Sequence, residues 1–103
     1  MIARIWHGLV PKSKSDEYLQ NQREHGIREY QETEGNKGIY ILTRDEGDNT
    51  HQLFITFWDS IESIKKFAGD DYEKARYYPD DKDYLLETEE KVQHYDVIIE
   101  KGI

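Results

Sequence analysis

His7 is the ionisable residue whose surroundings in the sequence most clearly point to chemistry. It alternates with Ala3, Ile5 and Leu9, so in a strand these side chains share one apolar face. An imidazole held on such a face, directed at the helices, can act as a general base. The alternative is a structural histidine that hydrogen-bonds a tyrosine, because buried polar groups are normally paired.

A second group of candidates lies in the acidic part of the chain. Arg76, Tyr77 and Tyr78 are consecutive, and their guanidinium and hydroxyl donors can hold a phenolate or carboxylate in a pocket. The alternative is an amphipathic turn in which Arg76 pairs with a nearby carboxylate. The aromatic residues that we consider as substrate contacts, with ordinary core packing as the alternative, are Trp58, Phe67, Tyr78 and Tyr95.

The histidines do not predict a metal site. The first and last strands are neighbours in the predicted sheet, but pairing their apolar faces places His7 with Tyr95 and sends His94 to the other side. His25 and His51 are predicted to be solvated. The chain has no cysteine, which excludes disulfides, thiol catalysis and cysteine-ligated metals.

The elements that must position these residues follow the order β-α-β-β-α-β. The patterns predict strands at 2–9, 38–45, 50–59 and 92–100, a first helix from an N-cap at Ser13 to about residue 31, and a second helix from a capping box at 59–62 to Gly69. This order is the split βαβ arrangement of ferredoxin-like α+β folds, a four-stranded antiparallel sheet with both helices on one face.

Two features of the pattern go beyond this order. The predicted hairpin is apolar on both faces, so we expect a second copy of the chain to cover the bare side of the sheet, with Trp6 near that interface. Residues 70–91 hold nine acids against four bases. We predict a short helix at 72–78, a stop at Pro79, and a mobile flap over the pocket, because short helices are unstable alone.

Size and charge narrow the classes of partner. The chain has 103 residues, enough for a single domain over 1–103, and a net charge of −8 without a basic cluster, so nucleic acid and anionic membranes are poor partners. It contains neither a signal peptide nor an apolar run long enough to span a bilayer, which predicts a cytoplasmic protein.

Five segments resemble the antibiotic biosynthesis monooxygenase superfamily, the dimeric α+β barrel group. They are the strand Ala3 to Gly8, the loop Gly35 to Gly38, Phe57 to Ser60 leading into the second helix, Gly69 to Tyr78, and His94 to Val97. The resemblance implies a homodimer whose two sheets pack face to face. It also implies one of three roles: oxygenation of aromatic quinols without a cofactor, haem degradation, or no known activity.

The haem-degrading branch of that family uses an asparagine, a tryptophan and a haem-ligating histidine at positions that here hold His7, Phe67 and Tyr77. None of the three matches, so no cofactor is expected, although a tyrosinate can ligate haem iron. The resemblance therefore implies a cofactor-independent monooxygenase of a small aromatic molecule. The apolar face of the first strand predicts a pocket with His7 on its floor, Phe67 on its wall and Tyr77 or Arg76 holding the oxyanion. The alternative is a non-catalytic, small-molecule-binding or stress-associated dimer.

Overall fold

The sheet is built around β1, Ile2–Pro11, in a computed structural model that describes residues 1–102. β1 pairs antiparallel along its whole length with β3, Asn49–Trp58, and its first four residues pair with β4, Gln93–Asp96. β2, Asn36–Glu46, pairs with β3 through a hairpin, which gives the strand order β2-β3-β1-β4. The predicted ferredoxin-like α+β sheet is confirmed.

The helices follow the predicted segments with two differences in their bounds. The first predicted helix is two helices, α1 at Ser15–Glu24 and α2 at Gly26–Glu32, because the backbone of His25 leaves the helical region. A short 3-10 turn at Lys12–Lys14 precedes α1, so Ser13 is not its N-cap. α3 covers Ile61–Ala68.

Residues next to each end of α3 determine where the helix begins and ends. Its N-cap is Ser60, one residue after the predicted Asp59, and the Ser60 hydroxyl accepts a hydrogen bond from the backbone N–H of Ser63. Gly69 ends the helix with a φ of +85°, a conformation that glycine adopts without the steric cost of a Cβ.

The core lies between the sheet and the three helices, and it shows which face of β1 is buried. Trp6 and Val10 of β1 point into it, together with Phe54 and Trp58 of β3 and Phe67 of α3. His7 alternates with these β1 residues and therefore lies on the other side of the sheet, half-buried. The prediction that His7 faces the helices is wrong, and so is the placement of Trp6 at the bare face.

We call the side of the sheet away from the helices the open face. Its central side chains are mostly apolar. Ala3 of β1 is buried, and the others are half-buried: Ile5, His7 and Leu9 of β1, and His51, Leu53, Ile55 and Phe57 of β3. At its edges, Tyr40 and Leu42 of β2 are close to half exposed, and Tyr95 of β4 is 56% exposed. The apolar character predicted for both faces of the hairpin is thus present.

Residues 70–91 depart most from the sequence patterns. Residues 72–78 form no helix, since Ala75 donates its backbone N–H to Glu90 and Val92 donates to Glu73 in an extended, antiparallel contact. A 3-10 turn covers Pro79–Asp83. The last strand ends at Asp96, so the predicted extension to residue 100 is wrong. No helix within residues 1–102 is long and apolar enough to cross a membrane.

Candidate functional site

A small cavity lies between the sheet and the helices. Its volume is about 10 Å³, room for roughly one water molecule. Aromatic rings and polar groups surround it: Trp6, Gln22, Tyr30, Phe54, Phe67, Arg76, Tyr78 and Asp81. An open groove of about 770 Å³ lies elsewhere, between the start of β2 and residues 97–102. Since Tyr40 and Phe57 in that groove belong to the open face, we place the site at the cavity, where donors and rings converge.

Arg76 and Tyr78 form the polar rim of the cavity, and Glu29 of α2 holds both. The Arg76 guanidinium donates to the Glu29 carboxylate at 2.6 Å and to the backbone oxygen of Phe67 at 2.6 Å. The Tyr78 hydroxyl donates to the other Glu29 oxygen. Burial, together with this carboxylate, raises the pKa of Tyr78. The rim therefore keeps its phenol protonated and its guanidinium paired.

Phe67 lies between two cationic side chains. The Arg76 guanidinium is 4.8 Å from the centre of its ring, and that of Arg4 is 5.4 Å away. Tyr30 stacks on the same ring at a centroid distance of 4.3 Å. This arrangement places flat aromatic surfaces directly beside positive charge, the combination that an aromatic anion requires.

Arg4 is the least compensated charge in the core. Its side chain is 1% exposed, and its Nε and Nη2 atoms have no hydrogen-bond partner among the described residues. None of the ion pairs formed by residues 1–102 includes it. Desolvation lowers the pKa of Arg4, an effect that the nearby Tyr30 phenol partly offsets. Two nitrogens of a buried cation, with three N–H groups between them, are thus left for an acceptor.

His94 adds a titratable group next to this charge. It lies opposite Arg4 in the β1–β4 pair, and its ring meets Tyr72 edge-on at 5.2 Å. Its buried Nε2 atom has no partner among residues 1–102. Burial lowers the pKa of His94, and the charge of Arg4 lowers it further. The imidazole is therefore neutral at pH 7 and able to accept a proton.

The structure brings together only some of the residues predicted from the sequence. Phe67, Arg76 and Tyr78 line the cavity, while Trp58 is fully buried behind Phe67 at 5.9 Å between ring centres. Tyr77 packs edge-on against Trp6, and its hydroxyl donates to the backbone oxygen of Glu89 at 2.5 Å.

His7 and Tyr95 lie on the open face, so the sheet separates both from Phe67. The predicted pocket with His7 on its floor is not formed. The pattern missed Arg4 and His94 for the same reason: the face of β1 that carries Arg4 and Trp6 was assigned to the wrong side of the sheet. No local signal in the sequence identifies that face, because both faces of β1 carry apolar side chains.

Comparison with solved structures agrees with this architecture. Over 99% of this chain, it superimposes on a Bacillus cereus protein described as a candidate antibiotic biosynthesis monooxygenase, with a TM-score of 0.63, 17% identity and 97% of that chain covered. The chain has the fold of the antibiotic biosynthesis monooxygenases. No protein-family profile matches it, and no curated protein does.

Two further solved structures with this monooxygenase fold are those of MhuD. The haem degrader from Mycobacterium tuberculosis, crystallised with two haems in its active site, gives a TM-score of 0.61 at 16% identity, covering 99% of this chain and 100% of that one. A MhuD mutant with two manganese protoporphyrin IX molecules per active site gives 0.62 at 16% identity, covering 99% of each chain. The expectation of no cofactor is therefore corrected, because this fold accommodates porphyrins.

The residues around the cavity do not fit a porphyrin in the arrangement seen here. A volume of about 10 Å³ is far below the roughly 300–1,000 Å³ of usual ligand pockets. The tyrosine hydroxyls nearest to it are occupied, Tyr78 by Glu29 and Tyr77 by the Glu89 backbone. His94 Nε2 is unpartnered but buried beside the Arg4 cation.

Proposed function

We propose that this chain is a monooxygenase-type enzyme that binds an anionic aromatic molecule between the sheet and the helices, with Arg4 as the anchor of the negative oxygen. The single observation that carries the proposal is the buried guanidinium of Arg4, whose Nε and Nη2 atoms have no hydrogen-bond partner among residues 1–102. Removing a cation from water costs several kcal/mol. Arg4 lies over the ring of Phe67, which lines the cavity, and an acceptor bound beside that ring would offset the cost. A phenolate or carboxylate supplies both the charge and the acceptor oxygens.

His94 would serve as the proton acceptor for a substrate that arrives as a phenol. It is held opposite Arg4, so a proton lost from a phenolic oxygen would move to His94 Nε2 while the Arg4 N–H groups hold the oxygen that becomes negative. Arg4 also keeps the pKa of His94 low, which maintains the neutral ring that this step needs.

The ring of the substrate would pack against Phe67 and Tyr30. Entry requires the cavity to open, and its rim is the part of the site that can move: the Arg76–Glu29 pair has side chains that are each 36% exposed. Outward motion of Arg76 and Tyr78 would admit a planar molecule next to Phe67. On return, the rim would exclude water from the bound ring.

Binding of matched aromatic pairs tests the anion requirement. The change in melting temperature and the affinity are measured for 2-naphthoate against 2-naphthalenemethanol, for a hydroquinone, and for hemin. We compare the wild type with Arg4→Met and with Arg28→Met, a control that removes a surface arginine paired with Glu32. The wild type and the control should prefer the naphthoate, and Arg4→Met should lose that preference.

Oxygen uptake with bound quinols separates turnover from binding. Uptake that is lost in Arg4→Met and in His94→Gln supports the enzyme. Binding without uptake by any member of a hydroquinone panel assigns the chain to the alternative, a non-catalytic small-molecule-binding protein. Equal affinity for the charged and neutral naphthalenes rejects Arg4 as an anchor, and tight binding of hemin shows that the rim opens far enough for a porphyrin.

A further inference from the structure

A chain of four polar side chains crosses the open face, on the opposite side of the sheet from the cavity. Glu89 contacts His7 Nδ1 at 2.5 Å, His7 Nε2 faces His51 Nδ1 at 2.8 Å, and His51 Nε2 contacts Glu46 at 3.2 Å. The histidine side chains are 26% and 20% exposed. The function proposed above uses none of these four residues.

The two inner nitrogens point directly at each other. The ring centres are 5.1 Å apart and the ring planes differ by 27°. This is close to the longest separation that two imidazoles can have at an N···N distance of 2.8 Å, so both nitrogens lie on the line between the ring centres. Their in-plane lone pairs or N–H bonds are thus directed into the gap.

The contacts of the outer nitrogens determine whether the inner nitrogens hold a hydrogen atom or a lone pair. A neutral imidazole has one N–H, and each of these rings has its outer nitrogen on a carboxylate oxygen, which accepts a proton and cannot donate one when ionised. Two neutral rings that donate outward therefore place two lone pairs face to face, an arrangement that a cation between them, either a proton or a metal ion, stabilises.

We propose that His7 and His51 form a binding site for a divalent transition metal ion of the class that prefers imidazole, such as Zn²⁺ or Cu²⁺. The outer contacts are those of metal-bound histidines, which almost always donate their second N–H to a carboxylate, a backbone carbonyl or water. The two strands fix the pair, because His7 and His51 are diagonal neighbours in the β1–β3 register.

The site needs a small adjustment to accept such an ion. Tetrahedral Zn²⁺ with Zn–N bonds of about 2.0–2.1 Å separates two ligand nitrogens by roughly 3.3 Å, so the gap must widen by about 0.5 Å. Rotation of the partly exposed His7 and His51 rings would widen the gap by this amount. The described residues offer no cluster of three or more metal-ligating side chains, so water or another ligand completes the coordination.

The neighbours of the pair favour a weakly hydrated, exchangeable ion. Leu9 lies opposite His51, and Leu53 lies opposite His7, so apolar side chains flank the ligand nitrogens. Arg44 is opposite His51 on β2, but its guanidinium pairs with Glu46 at 3.3 Å. The charges of Glu46 and Glu89 then balance this arginine and one unit of the metal charge. The sequence pattern predicted a solvated His51 and did not place it beside His7.

Metal titration of the tag-free protein tests the proposal. Isothermal titration with Zn²⁺ should give one ion per chain, and Cu²⁺ electron paramagnetic resonance should show hyperfine coupling to two nitrogens. His7→Gln and His51→Gln should each weaken Zn²⁺ binding by roughly ten-fold or more and leave one coupled nitrogen. His25→Gln is the matched control, because His25 is exposed and remote from β1 and β3, and it should bind as the wild type does.

Glu89→Gln probes the outer contact without removing a ligand. It should lower the Zn²⁺ affinity about 10–100-fold and leave two coupled nitrogens. The proposal is overturned if the wild type binds no Zn²⁺, if His25→Gln weakens binding as much as His51→Gln does, or if the pair only shares a proton, titrating by NMR with no response to metal. Circular dichroism of each variant confirms that the loss is local.

Discussion

Arg4 of β1 and His94 of β4 are paired on adjacent strands, and both side chains lie on the helix side of the sheet. The guanidinium of Arg4 lacks partners on two of its nitrogens, and His94 lacks one on Nε2. Burial lowers the pKa of His94, and the neighbouring Arg4 cation, which disfavours a second positive charge, lowers it further. This coupling can be measured independently of any substrate.

The first prediction concerns the pH dependence of stability. Burial and the charge of Arg4 hold the folded-state pKa of His94 below the ordinary histidine value of 6.5, so the unfolded chain binds the proton more readily. The stability from neutral His94 is fully present above pH 6.5 and is lost as the pH falls through the lowered folded-state pKa. NMR titration of the folded protein should place His94 below 6.5.

Substituting Arg4 by Met should raise the pKa of His94 and reduce this loss. The same variant should be as stable as the wild type or more stable at pH 7, since an unpaired buried charge is replaced by an apolar chain of similar length. His25→Gln should leave the His94 titration unchanged. An unaltered His94 titration in Arg4→Met would show that the two residues are not coupled.

The second prediction concerns Asp81, the buried carboxylate of residues 70–91. Tyr18, Gln22 and the backbone of Tyr78 donate to it at 3.2, 3.1 and 2.8 Å, and burial raises its pKa. Asp81→Ala leaves three donors unpaired and should lower the free energy of unfolding by roughly 2–3 kcal/mol, measured by urea denaturation. Asp80→Ala, on the exposed neighbour, should cost less than about 0.5 kcal/mol.

The flap predicted for residues 70–91 depends on the same carboxylate. Asp81 fastens the 3-10 turn to α1, and Arg76 fastens the preceding residues to α2, so motion of the flap requires these contacts to break. Hydrogen exchange at residues 76–85 should be slower than in an unfolded loop and should accelerate in Asp81→Ala. Exchange as slow as at residues 53–58 would rule out the flap.

The third prediction compares two glycines with positive φ. At Gly35, with a φ of +92°, an added Cβ would lie 2.0 Å from Ser63 Oγ and 2.8 Å from Asp59 Oδ1. At Gly47, with a φ of +59°, it would meet nothing within 4 Å. Gly47→Ala should cost about 1 kcal/mol from conformation alone. Gly35→Ala should cost about 2 kcal/mol more, because it also displaces the start of α3.

The fourth prediction is the homodimer, formed through the open face. Its half-buried centre and its exposed Tyr40 and Leu42 form an apolar surface of the kind that sheets bury against each other. Light scattering at micromolar concentration should give twice the 12.3 kDa of one chain. Ile55→Lys should yield monomers, whereas Gln20→Lys, which adds the same charge on α1, should not. A wild-type mass near 12 kDa would contradict the dimer.

Local rules of the sequence were sufficient to predict the order of elements. Alternation located β1, β2 and β3, the Ser60 region opened α3, and Gly69 closed it, since caps and glycines act within one or two turns of the chain. The same rules failed at residues 72–78, because the partners of that backbone, residues 90 and 91–92, lie more than a dozen positions away.

The side of the sheet that each β1 residue occupies was decided only by the tertiary structure. Alternation divides β1 into two sets but does not identify which set the helices cover, and both sets here carry apolar side chains. Trp6 and Val10 fill the space between the sheet and the helices, which takes Arg4 into the core and leaves His7 beside His51. The faces of β1 were thus set by how its side chains fill the space that the sheet and the helices enclose together. This packing determined which residues of β1 can act as one site.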